Sequence, residues 1–150
     1  MAISTCAIKT DGDGREISAH GAAAFPVACY DDDLAAQSVP WHWHDEMEAI
    51  LVTEGRAVIA AGTQKFTICA GGGAFVNAGV LHAVWHAPGS ACRLRSAVFH
   101  PRLVGGEDSV FWQRYVAPLL QDASLTAAAL GRDGAWQGKR SIASKQPGRR

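Results

Sequence analysis

The stretch PWHWHDEME, residues 40–48, contains the side chains that decide both the fold and the candidate site. Side chains two residues apart on a β-strand point to the same face. His42 and His44 are therefore predicted to project together, with the two neighbouring tryptophans on the opposite face. Glu48 lies four residues beyond His44, an even step, so its carboxylate is expected to join the two imidazoles.

A second stretch, GGGAFVNAGVLH, residues 71–82, supplies a third histidine. The turn around residues 77–79 delivers His82 to the start of a predicted strand. Three imidazoles and one carboxylate suit Fe(II), Mn(II), Ni(II), Cu(II) or Zn(II) but not Ca(II). An HxH pair alone is also consistent with an ordinary solvent-facing strand, and the added Glu48 and His82 are what favour a metal site.

Short strand-like runs separated by turn residues make up most of the chain. The predicted strands are residues 16–20, 25–30, 39–44, 46–53, 56–61, 64–69, 74–77, 82–86 and 92–100. This spacing favours an all-β sandwich or barrel and leaves no room for the crossover helices of a parallel sheet. Residues 1–15 are predicted to be a flexible N-terminal arm, and residues 16–107 to form the barrel.

The pattern changes after residue 107. Asp108 and Ser109 can cap a helix, and apolar residues then recur at helical spacing, so residues 108–121 are predicted to form an amphipathic helix and a dimerisation candidate. Residues 123–130 are expected to add a short helix. Residues 122–150 are otherwise predicted to be a disordered basic tail, with a net charge of +4 over residues 121–150 against −4 over residues 1–120.

Composition excludes several classes of protein. The net charge is zero, which argues against an electrostatic nucleic-acid binder. No apolar run approaches the roughly 20 residues of a membrane span, so no membrane partner is expected. The four cysteines form no CxxC pair and no secretory leader opens the chain, which together predict reduced thiols in a cytoplasmic protein. No nucleophile elbow, P-loop or dinucleotide fingerprint is present.

The first stretch resembles the first motif of the cupin superfamily, G-x5-H-x-H-x3,4-E-x6-G. His42, His44, Glu48 and Gly55 match it at the required spacing, and Ala36 stands where the leading glycine should be.

The second stretch resembles the second cupin motif, G-x5-P-x-G-x2-H-x3-N. Gly71, Gly79 and His82 match it, whereas Asn77 replaces the proline and His86 replaces the final asparagine. Neither departure removes a metal ligand.

The cupin resemblance implies an antiparallel jelly-roll barrel of six to eight strands with its ligand site inside. It maps the metal ligands onto His42, His44, Glu48 and His82. His86 and Arg95 are further candidates for ligand-binding residues, although a surface position near the turn at residues 87–89 is the simpler interpretation of His86.

A narrower resemblance covers about residues 16–120. The stretches PWHWHDEMEAILVTEG, FVNAGVLHAVW and SAVFHPRLVGGEDSVFWQRYVAPLL resemble the N-terminal sensor domain of AraC-type transcription regulators. In that family the barrel binds a small effector, later helices mediate dimerisation, and a C-terminal domain with two helix-turn-helix units binds DNA. About 30 residues follow Leu120, too few for those units, so we expect no direct specific DNA binding.

The resemblance implies a small-molecule effector, and a homodimer or a mixed dimer with a full-length relative. The alternative function is a small metal-dependent cupin enzyme, a dioxygenase or isomerase, because an octahedral metal with four protein donors keeps two positions open. The lack of an obvious acid–base group favours the sensor, in which effector binding shifts the domain between two states. A remnant without function is the third interpretation.

Overall fold

A computed structural model describes residues 3–131, and these residues form an all-β barrel followed by a short helix, as predicted. The strands are β1 Ile3–Ser4, β2 Val27–Asp33, β3 Val39–His42, β4 Met47–Ala61, β5 Gln64–Cys69, β6 Gly73–Val76, β7 His82–His86, β8 Cys92–Phe99 and β9 Ala127–Leu130. The predicted bounds of β5 and β7 are confirmed.

The strands form two layers that share β4. One layer has the order β1-β2-β8-β4-β6-β9, and in the other β4 pairs with β5 and β7, while β7 also pairs with β3. Apolar side chains between the layers form the core, among them Ile50, Val52, Ile59, Val84 and Leu94. Burying these side chains is the main source of stability in such a barrel.

A single long strand, β4, replaces the two strands predicted at residues 46–53 and 56–61. Its first half pairs with β6 and β8, and its second half pairs with β5 and β7. The register against β8 shifts between Val52 and Glu54, next to Gly55. The expected turn at this glycine is therefore an irregularity that directs one strand from the first layer into the second.

The glycine of this irregularity, Gly55, is expected to tolerate no other residue without a large loss of stability. Its φ is +68°, and a Cβ atom there would overlap the carbonyl oxygen of Ala91. Gly55→Ala should lower the free energy of unfolding by at least about 3 kcal/mol, the sum of backbone strain and steric overlap.

The matched control for Gly55→Ala is Gly71→Ala. Gly71 has a φ of +86° and open space around its missing Cβ, so only the backbone cost of about 1–2 kcal/mol should apply. Denaturant unfolding of both variants measures the difference. Equal destabilisation would contradict the steric role assigned to Gly55.

The N-terminal segment lies along the barrel. The prediction of a strand at residues 16–20 is wrong. Only isolated bridges form there, with Glu16 opposite Thr10 and Arg15 opposite Trp43. The backbone N–H of Glu16 donates to the carbonyl of Trp43 at 2.8 Å, and that of Trp43 donates to Gly14 at 3.1 Å. Residues 14–16 thus follow the stretch that carries His42 and His44.

The short helix predicted at residues 123–130 is also wrong, because Ala127–Leu130 forms β9. This strand pairs antiparallel with β6, from Val76 opposite Ala127 to Gly73 opposite Leu130. Pairing with the edge of β6 satisfies the backbone groups of both segments and outweighs the helix propensity of alanine. Of the predicted tail, residues 132–150 lie outside the described residues.

Helical structure follows β8 where it was predicted. Trp112–Val116 form a π-helical segment that continues into α1, Ala117–Gln121. The Ser109 hydroxyl accepts a hydrogen bond from the Trp112 N–H at 3.1 Å, the expected capping contact. Pro118, the second residue of α1, has no N–H to donate, so the regular α-helical hydrogen bond is missing where the π-helical segment passes into α1. No helix within residues 3–131 combines the length and apolar character needed to cross a membrane.

Candidate metal centre

The structure brings together the four side chains predicted as metal ligands. His42 ends β3, His82 opens β7 directly opposite it, and His44 and Glu48 lie on either side of the start of β4. One donor atom from each of the four residues lies within 4.8 Å of the others. All four are buried, and the most exposed, Glu48, is only 8% accessible. The cluster is therefore a set of converging donors shielded from water.

Each of the three imidazoles is held by a backbone carbonyl two residues away. Nδ1 of His42, His44 and His82 donates to such a carbonyl at 2.8, 3.0 and 2.8 Å. These bonds place the proton on Nδ1 of the neutral ring, so the lone pair of each Nε2 points into the cluster. Metal-binding histidines are oriented in this way by their second ring nitrogen.

Inside the cluster, one carboxylate oxygen faces two imidazole nitrogens. Glu48 Oε2 lies 3.0 Å from His82 Nε2 and 3.5 Å from His44 Nε2. Among the described residues, His44 Nε2 is a buried polar atom without a hydrogen-bond partner, a situation that costs about 1–3 kcal/mol. A proton or a cation is needed wherever a carboxylate faces a nitrogen lone pair. The residues present therefore fit a divalent metal.

Burial and neighbouring charges shift the pKa values of Glu48, His42 and His44 in different directions. Burial alone would raise the pKa of Glu48, but the adjacent His44 and the hydrogen-bonded His82 prevail and lower its pKa well below the usual range. Burial, with the neighbouring His82, lowers the pKa of His42 to about 4. Burial would lower the pKa of His44 as well, but the Glu48 carboxylate prevails and raises it. Without a metal, the proton is thus retained next to Glu48, whereas His42 is neutral at pH 7.

Metal affinity is expected to fall as the pH decreases. A metal needs the neutral Nε2 of His44, whose pKa is raised, so each binding event must displace a proton below that pKa. Affinity should be full above the raised pKa and fall by about tenfold per pH unit once the pH is below it. Titrations at several pH values, in buffers of different ionisation enthalpy, measure both the affinity and the released protons. An affinity that is constant from about pH 8 to about pH 5.5 would contradict this assignment.

A second buried network that the sequence analysis missed adjoins the four residues. His20 Nε2 donates to Glu16 Oε2 at 2.9 Å, and His20 Nδ1 is hydrogen-bonded to the Tyr30 hydroxyl at 2.8 Å. The His20 ring lies 5.3 Å from the His44 ring, centroid to centroid, and Glu16 Oε2 lies 3.9 Å from His42 Nε2. The sequence shows only that Glu16 and His20 are four residues apart. This spacing does not predict a site, because the two side chains meet the cluster only when the segment packs on the barrel.

The two other sequence candidates, His86 and Arg95, lie outside the cluster. His86 is exposed at the far end of β7, and its Nδ1 donates to the carbonyl of Ala87 at 3.1 Å. The Arg95 side chain is 60% exposed and donates to Asp31 at 3.0 Å. On β8 the inward positions alternate with outward ones, and Arg95 falls on an outward position. The structure therefore provides no contact between either residue and the candidate ligands.

The fold and the cluster of three histidines and one glutamate are those of a cupin-type ligand-binding barrel. Residues 25–131 match the family model of the AraC-like ligand binding domain, and the chain belongs to this family. A relative from Bacillus subtilis (strain 168), the uncharacterized HTH-type transcriptional regulator YdeC, is 28% identical over 125 residues. The match covers 81% of this chain and 42% of that regulator, so the chain spans less than half of the regulator's length.

Solved structures overlap the barrel in part. The Fe(II) form of HppE is 24% identical with a TM-score of 0.44, and the overlap covers 49% of this chain and 43% of that one. The oxalate decarboxylase formate complex from Lactobacillus farciminis is 25% identical with a TM-score of 0.44, and covers 51% of this chain and 24% of that one.

Proposed function

We propose that this domain is the small-molecule-sensing barrel of a transcription regulator, with a divalent transition metal at His42, His44, Glu48 and His82 as part of its effector site. The observation that carries the proposal is the convergence of four buried donors, three of them imidazoles oriented by backbone carbonyls. Membership of the AraC-like ligand binding family and the relationship to an HTH-type regulator support the sensing role.

The four residues have distinct tasks in this proposal. Glu48 supplies the negative charge, and the three histidines supply neutral nitrogen donors already turned towards one point. Fe, Mn, Ni, Cu and Zn all accept such a donor set. The bound metal would supply a Lewis-acid position for an oxygen or nitrogen atom of the effector. Burial excludes competing water, which strengthens electrostatic interactions inside the barrel.

A second candidate function, a small metal-dependent dioxygenase or isomerase, is favoured by one observation. The buried pair of Glu16 and His20 beside the cluster provides an acid–base group that was not apparent from the sequence. Such a group within hydrogen-bonding reach of a bound substrate is what proton-transfer chemistry requires.

The two functions are separated by one experiment on metal-loaded protein. A panel of sugars, hydroxy acids and phenols is tested by thermal shift, and each compound that binds is recovered and analysed by mass spectrometry. Saturable binding with the compound recovered intact supports the sensor, and metal-dependent conversion supports the enzyme. A compound that binds equally well to His44→Ala would contradict the role of the metal in effector binding.

The helical segment after the barrel is proposed as the contact with a second copy of the domain or with a longer relative. Its exposed apolar side chains include Phe111 and Tyr115, which are 56% and 61% accessible. Phe111→Asp should convert a dimer to a monomer, because a charge would be buried at the contact. Sedimentation analysis against Phe25→Asp, a similarly exposed phenylalanine outside this segment, tests the prediction. A wild-type monomer at high concentration, or a dimer unaffected by Phe111→Asp, would contradict it.

A further inference from the structure

We propose that Glu16 is a fifth protein donor to the metal, so that the N-terminal segment completes the centre with a second carboxylate. This inference rests on the proposed function and assigns a residue that lies outside both cupin-like motifs. Glu16 is buried, and its Oε2 lies 3.9 Å from His42 Nε2. Two donors bound to the same ion through bonds of about 2.1 Å lie at most about 4.2 Å apart, so this spacing is compatible with shared coordination.

Between Glu16 and His42, as around Glu48, a carboxylate oxygen faces an imidazole nitrogen that carries a lone pair. His42 Nδ1 donates its proton in a hydrogen bond to the carbonyl of Pro40, so the lone pair of Nε2 faces the Glu16 carboxylate. Two electron-pair donors facing each other in a buried site are mutually unfavourable. A divalent cation between them would satisfy both atoms; Glu16 stands outside the four donors that lie within 4.8 Å of one another, so its carboxylate would move towards those donors on binding.

The Glu16 carboxylate is held in place by a buried partner. His20 Nε2 donates to Glu16 Oε2 at 2.9 Å, and the Tyr30 hydroxyl fixes the opposite nitrogen of the same ring. His20 also packs edge-on against the His44 ring. Partners of this kind orient ligating carboxylates in metal sites.

The backbone of the segment places Glu16 beside the ligand stretch before any metal binds. Its N–H donates to the carbonyl of Trp43, the residue between His42 and His44. The Trp43 indole donates to the carbonyl of Asp13 at 3.1 Å. Arg15 forms an ion pair with Asp45 and lies over the Trp43 ring. Little conformational entropy is therefore lost when the carboxylate binds.

A fifth donor changes which ions the site should prefer. The carboxylates of Glu16 and Glu48 together would match the charge of a divalent ion. Additional oxygen donors favour Mn(II) and Fe(II) relative to a set richer in nitrogen. Mn(II) is therefore the informative probe of Glu16.

The test compares Glu16→Gln with Asp45→Asn in the full chain. Glu16→Gln replaces the proposed carboxylate donor with a neutral and weaker amide oxygen, whereas Asp45→Asn removes the ion pair that docks the same segment and leaves the site carboxylates intact. Mn(II) affinity is measured from the electron paramagnetic resonance signal of the free ion, and ligation from the visible spectrum of the Co(II) form. Glu16→Gln should weaken Mn(II) binding by about 10–100-fold and change the Co(II) spectrum. Asp45→Asn, which loosens the docking of the segment but keeps the Glu16 carboxylate, should weaken Mn(II) binding by no more than about fivefold and leave the Co(II) spectrum unchanged.

Two results would overturn the role of Glu16. One is wild-type Mn(II) affinity and an unchanged Co(II) spectrum in Glu16→Gln, and the other is an equal loss of affinity in Asp45→Asn. Circular dichroism establishes that the compared samples are folded. Glu16→Asp, which keeps the charge and shortens its reach, replaces Glu16→Gln if that variant does not fold, and should also bind Mn(II) more weakly. A wild-type protein that binds no metal would instead overturn the proposed function.

Discussion

Replacing His82 with alanine is expected to weaken divalent-metal binding by at least about 100-fold, because it removes one of four preorganised donors. His82 Nε2 points at Glu48, and a hydrogen bond to the carbonyl of Val80 fixes the orientation of its ring. A competition titration against a chromophoric chelator measures the loss.

The control for His82→Ala is His86→Ala on the same strand. His86 is a histidine four residues further along β7 that lies outside the cluster and is exposed. Its replacement should leave the affinity within about twofold of wild type, because it contacts none of the four donors. Equal losses in the two variants would mean that the strand, rather than the cluster, determines binding.

Metal binding is expected to stabilise the fold substantially. An ion that binds only the native state adds about 4 kcal/mol at a free concentration of 1,000 times its Kd. For a chain of 150 residues, this corresponds to a rise in Tm of roughly 8–16 °C. The stabilisation should be reversed by a chelator and absent in His44→Ala. The reason is that the donors come from three separate strands and their connections, which unfolding disperses.

Thermal unfolding of apo and reconstituted protein measures this stabilisation. A Tm that does not change while one ion remains bound per chain would contradict it, because binding would then not distinguish native from unfolded protein. Gly55→Ala is a comparison variant, because its loss of stability arises from the backbone at Gly55 and not from the metal site. Its Tm should be lower than that of wild type both with and without metal, by a similar amount.

The positions of the four candidate ligands could be predicted because two local rules were sufficient. The H-x-H-x3-E spacing of the first motif placed His42, His44 and Glu48 together, although β3 ends at His42 and His44 lies in the connection between β3 and β4. The glycine-containing turn before His82 fixed the start of β7. These relations depend on spacing within one or two neighbouring strands, which a sequence displays directly.

The wrong predictions of secondary structure share a physical cause: pairing between segments that are distant in the chain cannot be inferred from the local order of apolar and polar residues. Glu54 and Gly55 are compatible both with a hairpin turn and with an irregularity inside one strand. The sequence therefore predicted two strands where the structure has the single strand β4. Ala127–Leu130 has helical composition but meets the edge of β6. Glu16 and His20 acquire their surroundings only when the N-terminal segment docks against Trp43.

The buried network connects the two layers of the barrel around one centre. Tyr30 belongs to β2 in the first layer, whereas His82 belongs to β7 in the second. His20 and Glu16 lie between Tyr30 and the cluster. An ion bound there would therefore contact groups from both layers and from the N-terminal segment.

The most direct test of the metal centre is elemental analysis of protein that has been reconstituted with a divalent transition metal and desalted, with wild type beside His44→Ala. We expect about one ion per wild-type chain and essentially none in the variant. No retained metal in a folded wild-type protein, or equal retention in the two proteins, would contradict the assignment of His42, His44, Glu48 and His82 as a metal site.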